Sequence, residues 1–202
     1  GGAQKAKLFG GFGSFNPRLR FFLLVSSVFA LSNFNLAFFI LRASNEGISN
    51  TVILLLYTLL NVAYASVSYP FGMVADKLGR QTVVMMGYVA FVITALGFAI
   101  IPASLVNSIL LFVLYGIYMG ISDGSQKSYV SEIADPSYRG TALGTVATLT
   151  GLLVLPSSIL AEALWDAYGP SATFEFGAGA ALVALVLFAV SEAIIGKRPD
   201  RG

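Results

Sequence analysis

The stretch Gly72-Met73-Val74-Ala75-Asp76-Lys77-Leu78-Gly79-Arg80 is a short polar phrase between two long apolar runs, at 50–74 and 82–101. A helix that crosses the hydrocarbon core of a bilayer needs about 20 predominantly apolar residues. Both runs meet this length, so the polar phrase is expected at a membrane surface. A glycine-hinged connection with one acid and two bases is also a poor choice for an inert linker, which makes it a candidate functional element.

The same pattern of long apolar run and short break continues in both directions. The four further predicted spans are 19–41, 107–131, 141–164 and 172–195. The runs are continuously apolar, which favours helices over the alternating pattern of a membrane barrel. The sequence therefore predicts an all-α, polytopic membrane protein with six transmembrane helices in a bundle at 18–196. A flexible lead-in at 1–17 and a tail at 197–202 are expected on either side of the bundle.

Composition supports a lipid environment and excludes several functions. Of the 202 residues, 56% are hydrophobic and only 11% are charged, whereas soluble domains carry about 25% charged residues. The chain has no cysteine and no histidine, which removes disulfides, thiol catalysis and most zinc or haem sites. No Gly-Lys-Ser/Thr loop is present, and a net charge of +2 does not suggest a nucleic-acid partner. We expect no enzyme activity, no cofactor and no metal.

The basic residues predict the orientation of the bundle. With six spans, all but two of the twelve Lys and Arg residues fall on the side that holds both termini, and the exceptions are Arg42 and Lys127. Cytoplasmic segments of membrane proteins are enriched in Lys and Arg. Both termini are therefore expected in the cytoplasm, and the segregation also supports the number of spans.

The fourth predicted span carries the most informative polar residues. Asp123 and Lys127 are four residues apart, so they can pair on one helix face. By the rise of a helix, Asp123 lies about midway through the bilayer. A charge there is costly, and ionisable residues inside membranes are commonly functional. Asp123 is thus a candidate for a polar pathway or for proton coupling, and the alternative is an ion pair that only locks helix packing. Gly116, Gly120 and Gly124 form a stripe that would let another helix approach closely.

Amide and tyrosine side chains in the first two spans are the other candidates for lining a cavity. Tyr57, Asn61 and Tyr64 share a helical face, whereas Asn33 and Asn35 point in different directions, so at most one of these two needs to face the cavity. Such residues hold a substrate or bridge helices, and as a lining they favour a neutral or polyhydroxyl ligand. The candidate cavity residues are Asn33, Asn35, Tyr57, Asn61, Tyr64, Asp123, Gln126 and Lys127.

Four segments resemble the major facilitator superfamily. The polar phrase 72–80 is similar to the cytoplasmic signature loop of that family, in its expected place between the second and third helices of a six-helix half. Residues 139–144 resemble the start of the fifth helix of such a half, and 164–170 resemble the outer turn into its last helix. Residues 32–43 are similar to the seventh helix of such transporters.

The resemblance implies the carboxy-terminal half of a twelve-helix transporter, or a free-standing half, in a prokaryotic inner membrane. It also implies that Gly72, Asp76, Lys77, Gly79 and Arg80 form a conformational latch. In the family the acid of this loop, here Asp76, engages the positive end of a neighbouring helix and basic residues such as Arg80. A carboxylate is favoured near a helix N-terminus, and the glycines permit a tight turn.

The expected function is secondary transport of a small molecule by alternating access. The family transports through a cavity between two halves, so a lone half would expose its polar face to lipid. We therefore expect a second six-helix half as partner, either a copy of this chain about a two-fold axis or a half from another chain. The alternative is a membrane scaffold that retains the fold and does not transport.

Overall fold

A computed structural model describes residues 15–45, 47–102 and 104–195, and in this part of the chain all regular structure is helical. Six helical segments are long and apolar enough to cross a membrane, so the predicted all-α fold with six transmembrane helices is confirmed. Except for residues 15–17, the expected lead-in and tail lie outside the described residues. The helices are α1 Pro17–Ser32, α2 Ala37–Asn45, α3 Asn50–Leu78, α4 Arg80–Ile100, α5 Leu105–Ile133, α6 Arg139–Tyr168 and α7 Pro170–Ile194.

Asn16-Pro17 and Gly169-Pro170 form helix boundaries. The Asn16 side chain accepts a hydrogen bond of 2.7 Å from the backbone N–H of Leu19, and Pro17 occupies the first helical position of α1. This combination is favoured at helix starts because it satisfies a free donor and fixes φ. Gly169 has a φ of 89° between α6 and α7, a conformation that glycine adopts without steric cost.

The end of the second span differs from the prediction. We expected this span to end at residue 74, but α3 continues to Leu78 with Pro70 inside the helix. Transmembrane helices tolerate an internal proline because neighbouring groups compensate the freed backbone atoms. The turn into α4 is made by Gly79, with φ of 88°. Most of the predicted signature loop is therefore the last turns of α3.

The first span also differs from the prediction of one helix over 19–41. It is broken between α1 and α2 at residues 33–36. The side-chain oxygen of Asn35 accepts a hydrogen bond of 2.9 Å from the N–H of Ala37, which caps α2. Asparagine competes for backbone hydrogen bonds in this way and disfavours helix interiors. A hydropathy pattern cannot register such a break because the flanking residues stay apolar.

Neighbouring helices cover this break. Ser157 of α6 donates a hydrogen bond of 2.9 Å to the carbonyl oxygen of Leu31. Gly177 of α7 lies so close that a Cβ there would be 3.1 Å from the Ser32 carbonyl oxygen and 2.9 Å from the Phe34 ring. Irregular backbone at membrane depth is stable only where protein covers it, and α6 and α7 provide that cover.

The helices divide into a buried set and an exposed set. α4 packs between α5 and α7, while α1 packs on α7 and α6, and α3 packs on α5. The backbones of α1 and α5 approach each other at few points, although their side chains touch at Phe22 and Tyr129. The groove between the two helices is closed by α6 on one side. α3 and α6 leave most of their residues exposed. The groove and these two exposed helices are the features that bear on function.

Candidate functional site

The groove between α1, α5 and α6 has a volume of about 750 Å³. Ligand sites of drug-sized molecules commonly occupy about 300–1,000 Å³. Its lining is mainly apolar, with a few polar side chains. Four of the predicted cavity residues line it: Asn33, Asp123, Gln126 and Lys127.

A charged pair lies on the α5 wall of the groove. Lys127 Nζ donates to Asp123 Oδ1 at 2.9 Å, and the hydroxyl of Tyr64 on α3 donates to Asp123 Oδ2 at 3.0 Å. The side chains of Lys127 and Asp123 remain 70% and 52% exposed. Both carboxylate oxygens of Asp123 are therefore partnered, while the pair as a whole stays open to the groove.

Aromatic side chains form the wall farther along α5. Tyr115 and Tyr118 have ring centroids 5.5 Å apart, and both line the groove together with Phe29 of α1. The Phe29 ring stacks on Tyr88 of α4 at 4.0 Å between centroids, which holds this part of the wall in place. Tyr115 and Lys127 are twelve residues apart on one helix, or about 18 Å along its axis. The groove thus has a charged region and an aromatic region.

Two buried hydroxyl groups beside the groove lack a hydrogen-bond partner in the described structure. They belong to Ser26 on α1 and Ser122 on α5, which are 2% and 6% exposed. Serine in a helix usually donates to the carbonyl of the preceding turn, as Ser27 does to Leu23. Both oxygens are shielded from the groove: that of Ser122 faces Gly87 of α4, and that of Ser26 lies near the Tyr88 hydroxyl. No sequence pattern distinguishes these serines from their neighbours.

Three other predicted cavity residues lie elsewhere. Asn35 is the cap of α2, so Asn33 is the asparagine of this pair that lines the groove. Tyr57 lines a second, shallower groove of about 440 Å³ with residues of α2, and the side chain of Asn61 donates to the Tyr57 carbonyl at 2.8 Å. The expected face of Tyr57, Asn61 and Tyr64 is therefore not one cavity wall, and Tyr64 is its member that reaches the charged pair.

The latch contact implied by the resemblance is absent from the described residues. Asp76 is exposed and makes no hydrogen bond or ion pair within 15–45, 47–102 and 104–195. Arg80 instead donates to the Ser128 carbonyl at 3.1 Å and lies 3.5 Å from the Glu132 carboxylate. Gly72 and Lys77 are exposed on the last turns of α3. The latch role of the segment stays a prediction.

The glycine stripe of α5 is close to α3 at two of its three positions. A Cβ on Gly116 would overlap the Leu60 carbonyl oxygen and lie 3.0 Å from Ala63 Cβ. One on Gly120 would lie 2.8 Å from the carbonyl oxygen of Tyr64. Gly124 has no such neighbour within 4 Å. The close approach at Gly120 also places Tyr64 beside Asp123.

Sequence reasoning missed a charged cluster at the end of the bundle that holds the termini. Arg18 Nη2 lies 2.5 Å from Glu192 Oε2, and its Nε donates to Glu192 Oε1 at 3.1 Å. The Tyr129 hydroxyl donates to the same carboxylate, with Arg18 5.5 Å from the Tyr129 ring centroid. The Glu192 side chain is only 7% exposed. Arg18 and Glu192 are 174 positions apart, so no local pattern predicts this contact.

In the described part of the chain, no three acidic side chains come together as a metal site would require. The polar groups of the groove are instead suited to binding an organic molecule through hydrogen bonds and one charge pair. The six spans and the broken first helix define a polytopic helical membrane protein, with an open groove between α1, α5 and α6.

The chain belongs to the Major Facilitator Superfamily, whose family model matches residues 21–200. It is 42% identical over 178 residues to an uncharacterised MFS-type transporter of Methanocaldococcus jannaschii, and the match covers 84% of this chain and 44% of the relative. The chain therefore spans less than half the length of that relative. These findings confirm the predicted family and, with the six apolar helices, a multi-pass membrane protein. The matched relative is a transporter by name, not an enzyme.

Proposed function

We propose that the chain acts as one half of a secondary active transporter that moves a small molecule by alternating access. The groove between α1, α5 and α6 forms its share of the substrate pathway. The observation that carries the proposal is the open Asp123–Lys127 pair in an otherwise mainly apolar groove.

The cost of placing charge in a membrane supports this use of the groove. A charged side chain at the bilayer centre costs from a few to more than ten kcal/mol on different scales. The pair lowers this cost, but its large exposed fractions leave both groups solvated by whatever fills the groove. Water and a polar substrate reduce the cost further, whereas acyl chains do not. The groove is therefore better suited to an aqueous pathway than to a lipid-facing surface.

A second six-helix half is the partner that fits the exposed helices. α3 and α6 flank the groove side of the bundle and are poorly buried, and the matched relative is more than twice as long as the matched region. A second half packed against α3 and α6 would cover these helices and enclose the groove. This half is either another copy of the chain or a different six-helix segment. The positive-inside pattern supports the proposal that both termini are cytoplasmic.

Asp123 is the proposed site of proton coupling, because it is the acidic side chain among the described residues that line the groove.

Arg80 is the proposed moving part of the latch. It contacts the end of α5 through Glu132 in this conformation, and Asp76 lies one helical turn before it in sequence. We infer that Arg80 exchanges Glu132 for Asp76 when the two halves rock.

Proteoliposomes that hold the full chain and a pH-sensitive dye inside test the transport proposal. A pH gradient is imposed, and neutral sugars, organic amines and organic anions are added in turn. At least one class should accelerate proton movement, and Asp123→Asn should abolish that acceleration. Asp166→Asn is the matched control, because Asp166 is exposed at the opposite end of the bundle.

The mass of the solubilised particle is measured first, because twice the chain mass supports a pair of halves. Unchanged flux in Asp123→Asn would remove this residue from the mechanism. No solute-dependent flux by a correctly paired particle would favour the membrane scaffold.

A further inference from the structure

We propose that the groove binds an amphipathic organic anion, with its negative group at Lys127 and its apolar body along the aromatic wall. The inference rests on the proposed function in that it names the substrate class of the same groove. Carboxylates, sulfonates and phosphate esters all carry a negatively charged group with oxygen acceptors, and this shared group is what the groove would recognise.

Lys127 is the more accessible member of the charged pair and keeps most of its hydrogen-bonding capacity. Asp123 accepts one hydrogen bond at each oxygen, from Lys127 and from Tyr64. The ammonium of Lys127 carries three donors, and one of them is used among the described residues. The Lys127 side chain is 70% exposed, against 52% for Asp123. A ligand that enters the groove therefore meets two free N–H donors on the more exposed charge, which favours an anionic acceptor over a cation.

Neighbouring polar groups extend the donor surface around Lys127. The amides of Asn33 and Gln126 line the groove, and neither side chain makes a hydrogen bond within the described residues. These amides can donate to the anionic head or to water that accompanies it.

The rest of the groove disfavours a polyhydroxyl ligand, which the sequence alone had favoured. That expectation counted Tyr57 and Asn61 as lining, and both lie elsewhere. The actual wall presents Phe29, Tyr115 and Tyr118, whose rings prefer contact with apolar or aromatic groups. The distance of about 18 Å along α5 from Lys127 to Tyr115 suits an elongated body with a charged end.

Equilibrium dialysis of radiolabelled phenylhexanoate against the full chain in lipid nanodiscs tests the inference. Empty nanodiscs correct for partition into lipid. Unlabelled phenylhexanoate, its primary amide and phenylhexylamine compete as an anion, a neutral molecule and a cation of matched shape. We expect saturable binding of the anion, with the amide and the amine at least about tenfold weaker, since one charge-assisted hydrogen bond is lost.

Substitutions at Lys127 then connect the charge preference to this residue. Lys127→Gln should lose the preference for the anion over the amide and still bind the amide as the unaltered chain does, which shows that the groove is intact. Lys127→Arg should keep the preference. Arg42→Gln removes a positive charge outside the groove and should change nothing.

The inference is overturned if the amine or the amide competes as well as the anion, if the chain does not bind the anion, or if Lys127→Gln binds it unchanged. Its failure is distinguishable from failure of the proposed function. Anion binding without any solute-dependent flux would overturn transport alone. Groove-dependent flux of a neutral or cationic solute, with no preference for anions, would overturn the substrate class alone.

Discussion

Replacing a glycine of α5 by alanine should have opposite effects at two positions of the same stripe. At Gly116 the new methyl group would overlap the Leu60 carbonyl oxygen and lie 3.0 Å from Ala63 Cβ. Both contacts are with α3, and one of them is with backbone, so the helices must separate. At Gly124 no heavy atom lies within 4 Å of the added methyl group. The pair of variants therefore compares the same chemical change with and without a steric cost.

The magnitudes follow from two competing terms. Alanine is favoured over glycine in a helix interior by about 0.5–1 kcal/mol. Overpacking of a well-packed contact costs about 1–3 kcal/mol. Gly116→Ala should therefore destabilise the bundle by about 1–2 kcal/mol, whereas Gly124→Ala should be neutral or stabilise it by up to about 1 kcal/mol. The sign of the difference is more informative than either value.

Thermal unfolding of the two variants in the same detergent, followed by circular dichroism, measures this difference. For chains of this size, 1 kcal/mol shifts the melting temperature by about 2–4 °C. Gly116→Ala should melt several degrees below Gly124→Ala. Equal melting temperatures would refute the close approach of α3 and α5, and with it the geometry that brings Tyr64 to Asp123.

Three further substitutions test separate contacts. Glu192→Gln leaves Arg18 without its buried counter-charge and should lower the free energy of unfolding by about 1–3 kcal/mol. The control Glu162→Gln, at an exposed position, should change it by less than about 0.5 kcal/mol. Equal effects of the two substitutions would contradict the Arg18–Glu192 contact. Ser157→Ala removes the donor to the Leu31 carbonyl and should cost about 1 kcal/mol, while Ser66→Ala, whose hydroxyl bonds only within its own helix, should have almost no effect on the same unfolding curve. Arg80→Ala removes an exposed ion pair and should lower stability by at most about 1 kcal/mol but slow the proteoliposome flux several-fold, and a normal flux would contradict the latch.

The fold could be predicted from the sequence because lipid imposes a simple requirement. Each span needs a long apolar run, and hydropathy records that directly. Hydropathy hid the break at residues 33–36, because Phe34 and Leu36 keep the run apolar while Asn33 is the C-cap of α1 and Asn35 caps α2. The predicted end of the second span was also too early. Pro70 removes one hydrogen bond of α3, but the helix continues past it.

Site contacts could be predicted only where they are local. The contact between Asp123 and Lys127 follows from spacing within one helix, and the structure contains it. The contact from Tyr64 to Asp123 depends on how closely α3 approaches α5, and the Arg18–Glu192 pair depends on how α1 packs against α7. Whether the Ser26 and Ser122 hydroxyls find a hydrogen-bond partner depends on which groups of other helices pack beside them. None of these properties follows from the spacing of residues along one helix.

The helices that line the groove are not the ones that most need a second half. α1 is fixed near one end by the Arg18–Glu192 pair and near the other by Ser157 and α7, so the part of α1 that lines the groove is held at both ends. α5 is held against α3 and α4 through close contacts. The ligand-facing groups thus belong to helices that are positioned within this chain. The exposed surfaces of α3 and α6 are the ones that need a partner.

It follows that ligand charge preference should be measurable on the chain alone, whereas flux should require the second half. Phenylhexanoate binding that appears only after pairing would contradict a binding site held within this chain and would overturn the inference as it is stated for the chain alone.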